Sequence, residues 1–179
     1  PTVIVGGRLS ALGGTNARLG KGDWTVVEAD EYDRSFLQLT PTIAVINNIE
    51  SEHLDIYKDF EDLKNTFVEF SNKVPFYGVV AVGLDDPGIK DILPDIKKKV
   101  VTYGLSRHCD IRAEDLKFNE RYSECTIYDN DKKLGVLKIN IPGIHNIKNA
   151  LAAVVVSREL GIDFKVTKEA IGEFTGVYR

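Results

Sequence analysis

The residues of this 179-residue chain that could do chemistry are concentrated in short polar segments that follow apolar runs. The first segment, residues 28–33, reads Glu-Ala-Asp-Glu-Tyr-Asp and places four carboxylates directly after the apolar run 25–27. Carboxylates at the end of a strand can hold a magnesium ion that is bound to nucleotide phosphates. A solvated acidic loop accounts for the same cluster equally well from the residues alone.

The second segment, residues 47–55, follows the apolar run 42–46 and contains His53 among acidic neighbours. A carboxylate beside a histidine fixes the tautomer of the imidazole and raises its basicity, which suits a metal ligand. A histidine in a loop is more often simply solvated. Both interpretations of His53 stay open at this point.

The third segment, residues 143–150, opens a strongly helical stretch. Asn146 and Asn149 are three residues apart and therefore share a helix face, next to His145. The free backbone N–H groups of a first helical turn favour anionic or polar ligands. The alternative is that His145 or Asn146 only caps the helix.

The fourth segment combines the glycines at 6–7 with the glycine-rich stretch 13–20. It matches neither the dinucleotide fingerprint nor the phosphate-loop pattern, and this argues against a dinucleotide-dependent oxidoreductase. One interpretation is a substrate-side loop in which Asn16 and Arg18 contact a carboxylate or phosphate. The other is a surface loop without a chemical role.

Hydrophobic patterning predicts the elements that position these segments. Apolar runs at 25–27, 42–46, 79–82 and 99–103 are typical of strands covered on both faces of a parallel sheet. Apolar residues recur at helical spacing over 60–70, which indicates an amphipathic helix.

The second half of the chain has a different texture. Alternating residues over 110–141, with turn signals at 119–121 and 129–131, indicate a small antiparallel sheet. Helices are expected over 146–160 and over 167–174, the latter with Thr167 as its N-cap. The predicted fold class is therefore α/β, with a mostly parallel sheet flanked by helices plus a small antiparallel sheet.

Composition excludes several classes of protein. A net charge of -4 and a single short basic run at 97–99 argue against a nucleic-acid-binding surface. No apolar run approaches the roughly 20 residues that span a bilayer. Cys109 and Cys125 lack zinc-ligand spacing and indicate core residues in a reducing, cytoplasmic compartment. Because the chain starts at Pro1, inside an apparent strand, we expect one domain excised from a longer protein.

Taken in order, these segments resemble the Mur ligase family. The resemblance covers nearly the whole chain and rests on PTVIVGGRL (1–9), GGTNARLGKGDW (13–24), VVEADEYDRSFL (26–37), INNIESEHLDIY (46–57), NTFVEFSNKVPFYG (65–78), GLDDP (83–87), GIHNIKNALAA (143–153) and FTGVYR (174–179). It implies that residues 1–179 are the central ATP-binding domain. The phosphate-binding loop, the UDP-binding domain and the C-terminal domain are expected outside this stretch, so that the fragment alone would be inactive.

The resemblance also implies an activity and roles for named residues. It is nearest to the branch of the family that joins L-alanine to UDP-N-acetylmuramate, with ATP and Mg²⁺, through an acyl phosphate. Glu28 would bind one Mg²⁺ and His53 a second. Asn146 would contact the adenine or ribose of ATP, with His145 and Asn149 beside it.

Two alternatives to this activity remain. The EADEYD segment also occurs in the related enzyme that attaches recycled murein peptide to UDP-N-acetylmuramate, whereas the GGTNARLG and PFYG segments favour the alanine-adding branch. A noncatalytic nucleotide-binding module would keep the sheet and lack the phosphate loop.

Overall fold

The computed structural model describes residues 1–9, 13–50 and 56–178 of the chain. His53 therefore lies outside the described residues. None of the described helices is long and apolar enough to cross a membrane.

A six-stranded mixed sheet forms the centre of the fold, in the order β4-β5-β6-β7-β8-β9. Neighbouring strands from β4 to β7 run parallel, and β7, β8 and β9 form an antiparallel meander. The strands are β4 (Ile43–Ile46), β5 (Val79–Gly83), β6 (Val100–Gly104), β7 (Ile111–Phe118), β8 (Ser123–Asp129) and β9 (Lys132–Ile139).

Helices cover both faces of this sheet because successive side chains of a strand point to opposite faces. On β5, Val79 and Ala81 pack into the core beneath α3 (Ile144–Glu159) and α4 (Phe164–Glu173). Val80 and Val82 point the other way, into a second core with α1 (Phe60–Asn72) and α2 (Pro87–Ile92). All four side chains are buried, as expected of a strand covered on both faces.

A smaller sheet contains β1 (Thr2–Leu9), with β2 (Thr15–Arg18) and β10 (Val177–Tyr178) antiparallel to it and β3 (Thr25–Val27) parallel to it. The α/β fold class with a small second sheet is thus confirmed. The prediction that 25–27 belongs to the large parallel sheet is wrong, because β3 pairs with β1 and its side chains are exposed.

The meander over 110–141 is confirmed as three strands, but it does not form the separate small sheet that we predicted. It extends the large sheet instead, because β7 pairs with β6 through Tyr103 opposite Ile111. The Asp110 carboxylate holds this junction by accepting hydrogen bonds from the backbone N–H and the hydroxyl of Thr102, both at 2.8 Å.

Three helices begin at an aspartate that satisfies a free N–H of the first turn. Asp59 caps α1, Asp86 caps α2 and Asp163 caps α4, in the last case with its side chain accepting from the backbone N–H of Lys165 at 2.7 Å. The prediction of Thr167 as the cap is therefore wrong. Thr167 is buried one turn later, and its hydroxyl donates to the Asp163 carbonyl oxygen.

Strand direction decides where the polar segments meet. Because β4 to β7 are parallel and the meander reverses twice, β9 runs in the same direction as β4, β5 and β6. The residues that follow these strands, including the start of α3, therefore lie at one edge of the sheet. We call it the carboxyl edge; ligands of open α/β sheets bind there.

Candidate functional site

The acidic segment begins at Glu28, immediately after β3, and is held by β1. The backbone N–H of Glu28 donates to the Ile4 carbonyl oxygen at 2.9 Å. One carboxylate oxygen, Oε2, accepts a hydrogen bond from the Gly6 N–H at 2.6 Å. An alanine at position 6 would place its Cβ 3.3 Å from the same oxygen, so glycine lets the strand approach the carboxylate closely.

The residues that follow the acidic segment pack against α1 and the turn before it. Phe36 is buried, and its ring centroid lies 4.9 Å from that of Phe70. Arg34 forms an ion pair with Asp62, and its guanidinium lies 4.6 Å from the Tyr57 ring centroid. Hydrogen bonding to the Lys58 N–H and to Arg34 lowers the pKa of Asp62 below its ordinary value, against the opposing effect of desolvation. These contacts bring the segment against the helix.

A cavity of about 200 Å³ separates the acidic segment from the carboxyl end of β4. We call it the acidic cavity. Glu31 from the first polar segment and Glu50 from the second both line it, so the two segments that were singled out separately in the sequence meet here. Its lining consists of Ala29, Glu31, Val45, Ile46, Asn47, Asn48, Glu50 and Phe67.

Two asparagines on the β4 side of this cavity have defined partners. Asn48 donates from Nδ2 to Glu50 Oε1 at 2.6 Å. The Oδ1 atom of Asn47 accepts a hydrogen bond from the hydroxyl of Tyr103, also at 2.6 Å. Asn47 opens the second polar segment, but its bond to Tyr103 was not predicted from the sequence, because the two residues lie 56 positions apart and no local pattern connects them.

The two aspartates after β5 tie the carboxyl edge together, and sequence reasoning missed both roles. Asp86 Oδ1 accepts from the Ile89 N–H at 2.9 Å, as the α2 cap, and from the Ile49 N–H at 3.3 Å in the loop after β4. Asp85 Oδ2 accepts from the Leu105 N–H at 2.9 Å and lies 3.5 Å from Lys148 Nζ on α3. An aspartate just before a proline is a helix-start signal that could have identified Asp86.

The helix that carries the third segment starts without a side-chain cap. Gly143, at φ 113°, is its N-cap residue. The proposal that His145 or Asn146 serves only as the cap is therefore wrong. Asn146 donates from Nδ2 to the Pro142 carbonyl oxygen at 2.8 Å, and His145 is exposed in the first turn.

Asn146 and Asn149 line a second cavity, of about 370 Å³, between α3, α4 and the end of β9. We call it the apolar cavity because most of its lining is hydrocarbon. The two amides are at the end nearest the carboxyl edge, where α3 begins. Its lining consists of Ile139, Ile141, Asn146, Asn149, Ala150, Ala153, Ser157, Thr167, Ala170, Ile171 and Phe174.

Asn16 and Arg18 lie on β2 with exposed side chains. Arg18 is opposite Val3 of β1. The same part of β1 pairs with β3 on its other edge. Glu28, which follows β3, and strand β2 therefore lie along opposite edges of β1. Within the described part of the chain, neither side chain of the β2 pair has a hydrogen-bond or ion-pair partner, and their role as substrate contacts stays a prediction.

The described residues contain no group of three His, Cys, Asp or Glu side chains placed to hold a metal ion. Magnesium, however, is usually bound by one or two carboxylates together with substrate phosphates and water. Glu28 fits that requirement, because Gly6 occupies only Oε2. The apolar cavity likewise fits a purine base, with amides at one end and hydrocarbon around it.

The sequence is similar to curated ligases over its full length. It is 52% identical over 179 residues to the UDP-N-acetylmuramate–L-alanine ligase of Persephonella marina and 48% identical to that of Syntrophotalea carbinolica. The chain spans 38% and 39% of the length of these two relatives, respectively.

Solved structures are similar over the same range. The UDP-N-acetylmuramate-alanine ligase of Thermotoga maritima has a TM-score of 0.85 at 28% identity and covers 100% of the chain, which spans 39% of that structure. The UDP-N-acetylmuramate:L-alanyl-gamma-D-glutamyl-meso-diaminopimelate ligase of Neisseria meningitides has a TM-score of 0.87, also at 28% identity, and the chain spans 59% of it. Residues 16–157 match the Mur ligase middle domain, and the chain belongs to the Mur ligase family.

Proposed function

We propose that the chain is the central, ATP-binding domain of a cytoplasmic ligase that joins L-alanine to UDP-N-acetylmuramate. The observation that carries this proposal is the 45–52% identity, over the whole chain, to curated proteins that bear that name. Glu31 and Asn47 line the acidic cavity, and Asn146 lies in the first turn of α3 at the same carboxyl edge, so the proposal has a physical site.

The nucleotide base occupies the apolar cavity in this proposal. Asparagine amides both donate and accept hydrogen bonds, as the edge of adenine requires. Asn146 keeps its Oδ1 available because its bond to Pro142 uses Nδ2. Asn149 lies one helical turn further along the same face, so the pair can contact two positions of a base or ribose, with His145 next to them.

Glu28 is the Mg²⁺ ligand among the described residues, and His53 is proposed as the ligand of a second ion. Magnesium stabilises the negative charge that develops on transferring phosphoryl groups. The Gly6 N–H holds the Glu28 carboxylate in place. Asn16 and Arg18, on the strand beside β1, are proposed to contact anionic groups of the muramate substrate.

The reaction proceeds in two displacements. A carboxylate oxygen of UDP-N-acetylmuramate attacks the γ-phosphorus of ATP, which releases ADP and leaves an acyl phosphate. The neutral amine of L-alanine then attacks the acyl carbon, an amide bond forms, and inorganic phosphate and the amine proton leave. The role of this domain is positioning and electrostatic stabilisation, which are the largest contributions to phosphoryl transfer.

The test uses the full-length protein with ATP, Mg²⁺ and UDP-N-acetylmuramate. Phosphate release and product mass are measured with L-alanine, and separately with the tripeptide L-alanyl-γ-D-glutamyl-meso-diaminopimelate. We expect turnover with L-alanine and little with the peptide. Nucleotide hydrolysis that does not depend on either acceptor would refute ligase activity.

A second candidate acceptor follows from one observation. The Neisseria structure, that of a peptide ligase, resembles the chain as closely as the alanine ligase structure does. The fold therefore accommodates either acceptor. Turnover with the peptide and none with L-alanine would identify this second function.

A further inference from the structure

A buried tyrosine lies directly behind the acidic cavity. Tyr103, at the end of β6, is 1% exposed, and burial raises the pKa of its phenol far above the ordinary value. It is therefore a neutral hydroxyl with one proton to donate. Two oxygens face that hydroxyl: Asn47 Oδ1 at 2.6 Å and the Ile46 carbonyl oxygen at 3.2 Å.

The Tyr103 hydroxyl donates its proton to the nearer of the two oxygens, Asn47 Oδ1. A distance of 2.6 Å is at the strong end for an O–H···O hydrogen bond, whereas 3.2 Å is beyond the usual range. The hydroxyl therefore holds the Asn47 carbonyl oxygen toward the protein, and the Asn47 Nδ2 group points away from it.

Packing keeps this pair in register. Gly83 of β5 lies beside it, and a Cβ added at that glycine would come 2.5 Å from the backbone carbonyl oxygen of Asn47 and 3.5 Å from the Tyr103 ring. No side chain larger than hydrogen fits between β4 and β6 at this point. Because burial already fixes the Tyr103 ring, the side chain loses little conformational freedom when it forms this short hydrogen bond. Tyr103 is therefore a rigid support for Asn47.

The chemistry of the acidic cavity gives the Asn47 amide a use. Glu31 and Glu50 contribute carboxylates, and the Asn48 Nδ2 group already donates to Glu50. Asn47 is exposed to the cavity, and within the described part of the chain its Nδ2 group has no acceptor. A fixed amide donor in such a place suits an oxygen of a bound carboxylate or phosphoryl group.

We propose that Tyr103 is a positioning residue that orients Asn47, so that the Asn47 amide donates a hydrogen bond to an oxygen of the muramate carboxylate that reacts with ATP. This inference rests on the proposed function, because it assigns a donor to the substrate of that reaction. It predicts that the two residues act as a unit, since Tyr103 affects the substrate only through Asn47.

The kinetic test uses four variants of the full-length protein: Tyr103→Phe, Asn47→Ala, the double variant, and Tyr128→Phe as control. Tyr128 also lies on the large sheet, but its ring packs against Arg112 on β7, away from the acidic cavity. One hydrogen bond corresponds to a change of about fivefold. We expect each single variant to lower kcat/KM for UDP-N-acetylmuramate about fivefold, with the KM for ATP changed by less than about twofold.

The double variant separates positioning from a general structural effect. It should be no worse than the worse single variant, whereas independent effects would multiply to about 25-fold. Multiplied losses, an unchanged Asn47→Ala variant, or an equal loss in Tyr128→Phe would each overturn the inference.

A binding measurement tests the same pair without turnover. In ¹⁵N-labelled protein, the side-chain amide resonances of Asn47, assigned by their absence in Asn47→Ala, should shift on addition of UDP-N-acetylmuramate. In Tyr103→Phe the shift should shrink, and the muramate dissociation constant should rise about fivefold. An unresponsive Asn47 amide overturns the inference even if the ligase is active; a responsive amide in a protein that forms no product supports it and refutes the proposed function.

Discussion

The Asp86→Ala substitution tests whether the carboxyl edge is held together by the bond between α2 and the loop after β4. Asp86 Oδ1 accepts from the backbone N–H groups of Ile89 and Ile49, two residues that are 0% and 4% exposed. Loss of the helix cap costs about 1 kcal/mol. Leaving the Ile49 N–H without an acceptor costs about 1 kcal/mol more, so we expect a total loss of about 2 kcal/mol.

Asp163→Ala is the matched control. Asp163 caps α4 through the Lys165 N–H alone, and its loss should cost only the cap, about 1 kcal/mol. For a domain of this size, each kcal/mol corresponds to a shift in Tm of about 2–4 °C. We therefore expect the Tm to fall by about 4–8 °C for Asp86→Ala and by about 2–4 °C for Asp163→Ala.

Urea unfolding followed by circular dichroism gives the free energies directly, and heating gives the Tm values. In the full-length protein, Asp86→Ala should also raise the KM for UDP-N-acetylmuramate, because Ile49 lies between Asn48 and Glu50 at the acidic cavity. Equal destabilisation by the two substitutions would show that the contact with Ile49 contributes nothing to the stability of the carboxyl edge.

Three further predictions concern other parts of the chain. Gly6→Ala in the full-length protein should displace the Glu28 carboxylate, whose Oε2 would lie 3.3 Å from the new Cβ, and raise the Mg²⁺ concentration for half-maximal activity about threefold or more. Gly22→Ala, where the nearest atom is 3.9 Å away, is the control, and equal Mg²⁺ curves for both variants would contradict the assignment of Glu28. Both cysteines are buried, and burial raises the pKa of the Cys125 thiol to about 12. Neither thiol should therefore react with iodoacetamide at pH 8 until urea unfolds the chain, and rapid labelling of the native chain would refute this prediction. The pKa of Asp62 is held below its ordinary value of 3.8, so its contribution to stability is present above pH 3.8 and is lost as pH falls through the lower, folded-state pKa. The wild type should therefore lose more stability than Asp62→Asn between about pH 5 and pH 2. Equal losses of unfolding free energy in urea titrations of the two proteins would contradict this prediction.

The hydrophobic pattern of the sequence predicted those helices and strands whose own residues show that they are buried. Strand β5 reads as a continuous apolar run because both of its faces are covered, and α1 shows a clear apolar stripe. The sheet of Thr25–Val27 was predicted wrongly, because a run of three β-branched residues carries no information about which strand it pairs with. The junction between β6 and β7 escaped prediction for the same reason, since it depends on Asp110 and Thr102 across a turn.

Residue types predicted which segments would carry chemistry. The residues that hold these segments in place lie far from them in the sequence. Glu28 and Asn146 stand out because carboxylates and amides follow strands or open a helix. Tyr103 does not stand out, because its bond to Asn47 spans 56 positions. The helix-start signal at Asp86 likewise says nothing about its second bond, to Ile49 at a distance of 37 positions. Pairing over such distances is set by strand order, which no single segment encodes.

The most direct test of the site is a crystal structure of the full-length protein with a nonhydrolysable ATP analogue, Mg²⁺ and UDP-N-acetylmuramate. We expect the adenine in the apolar cavity, within hydrogen-bond distance of Asn146 or Asn149, a Mg²⁺ ion on Glu28, and the muramate carboxylate facing the Asn47 amide. A base bound elsewhere, with Asn146 still donating only to Pro142 and no metal at Glu28, would contradict it.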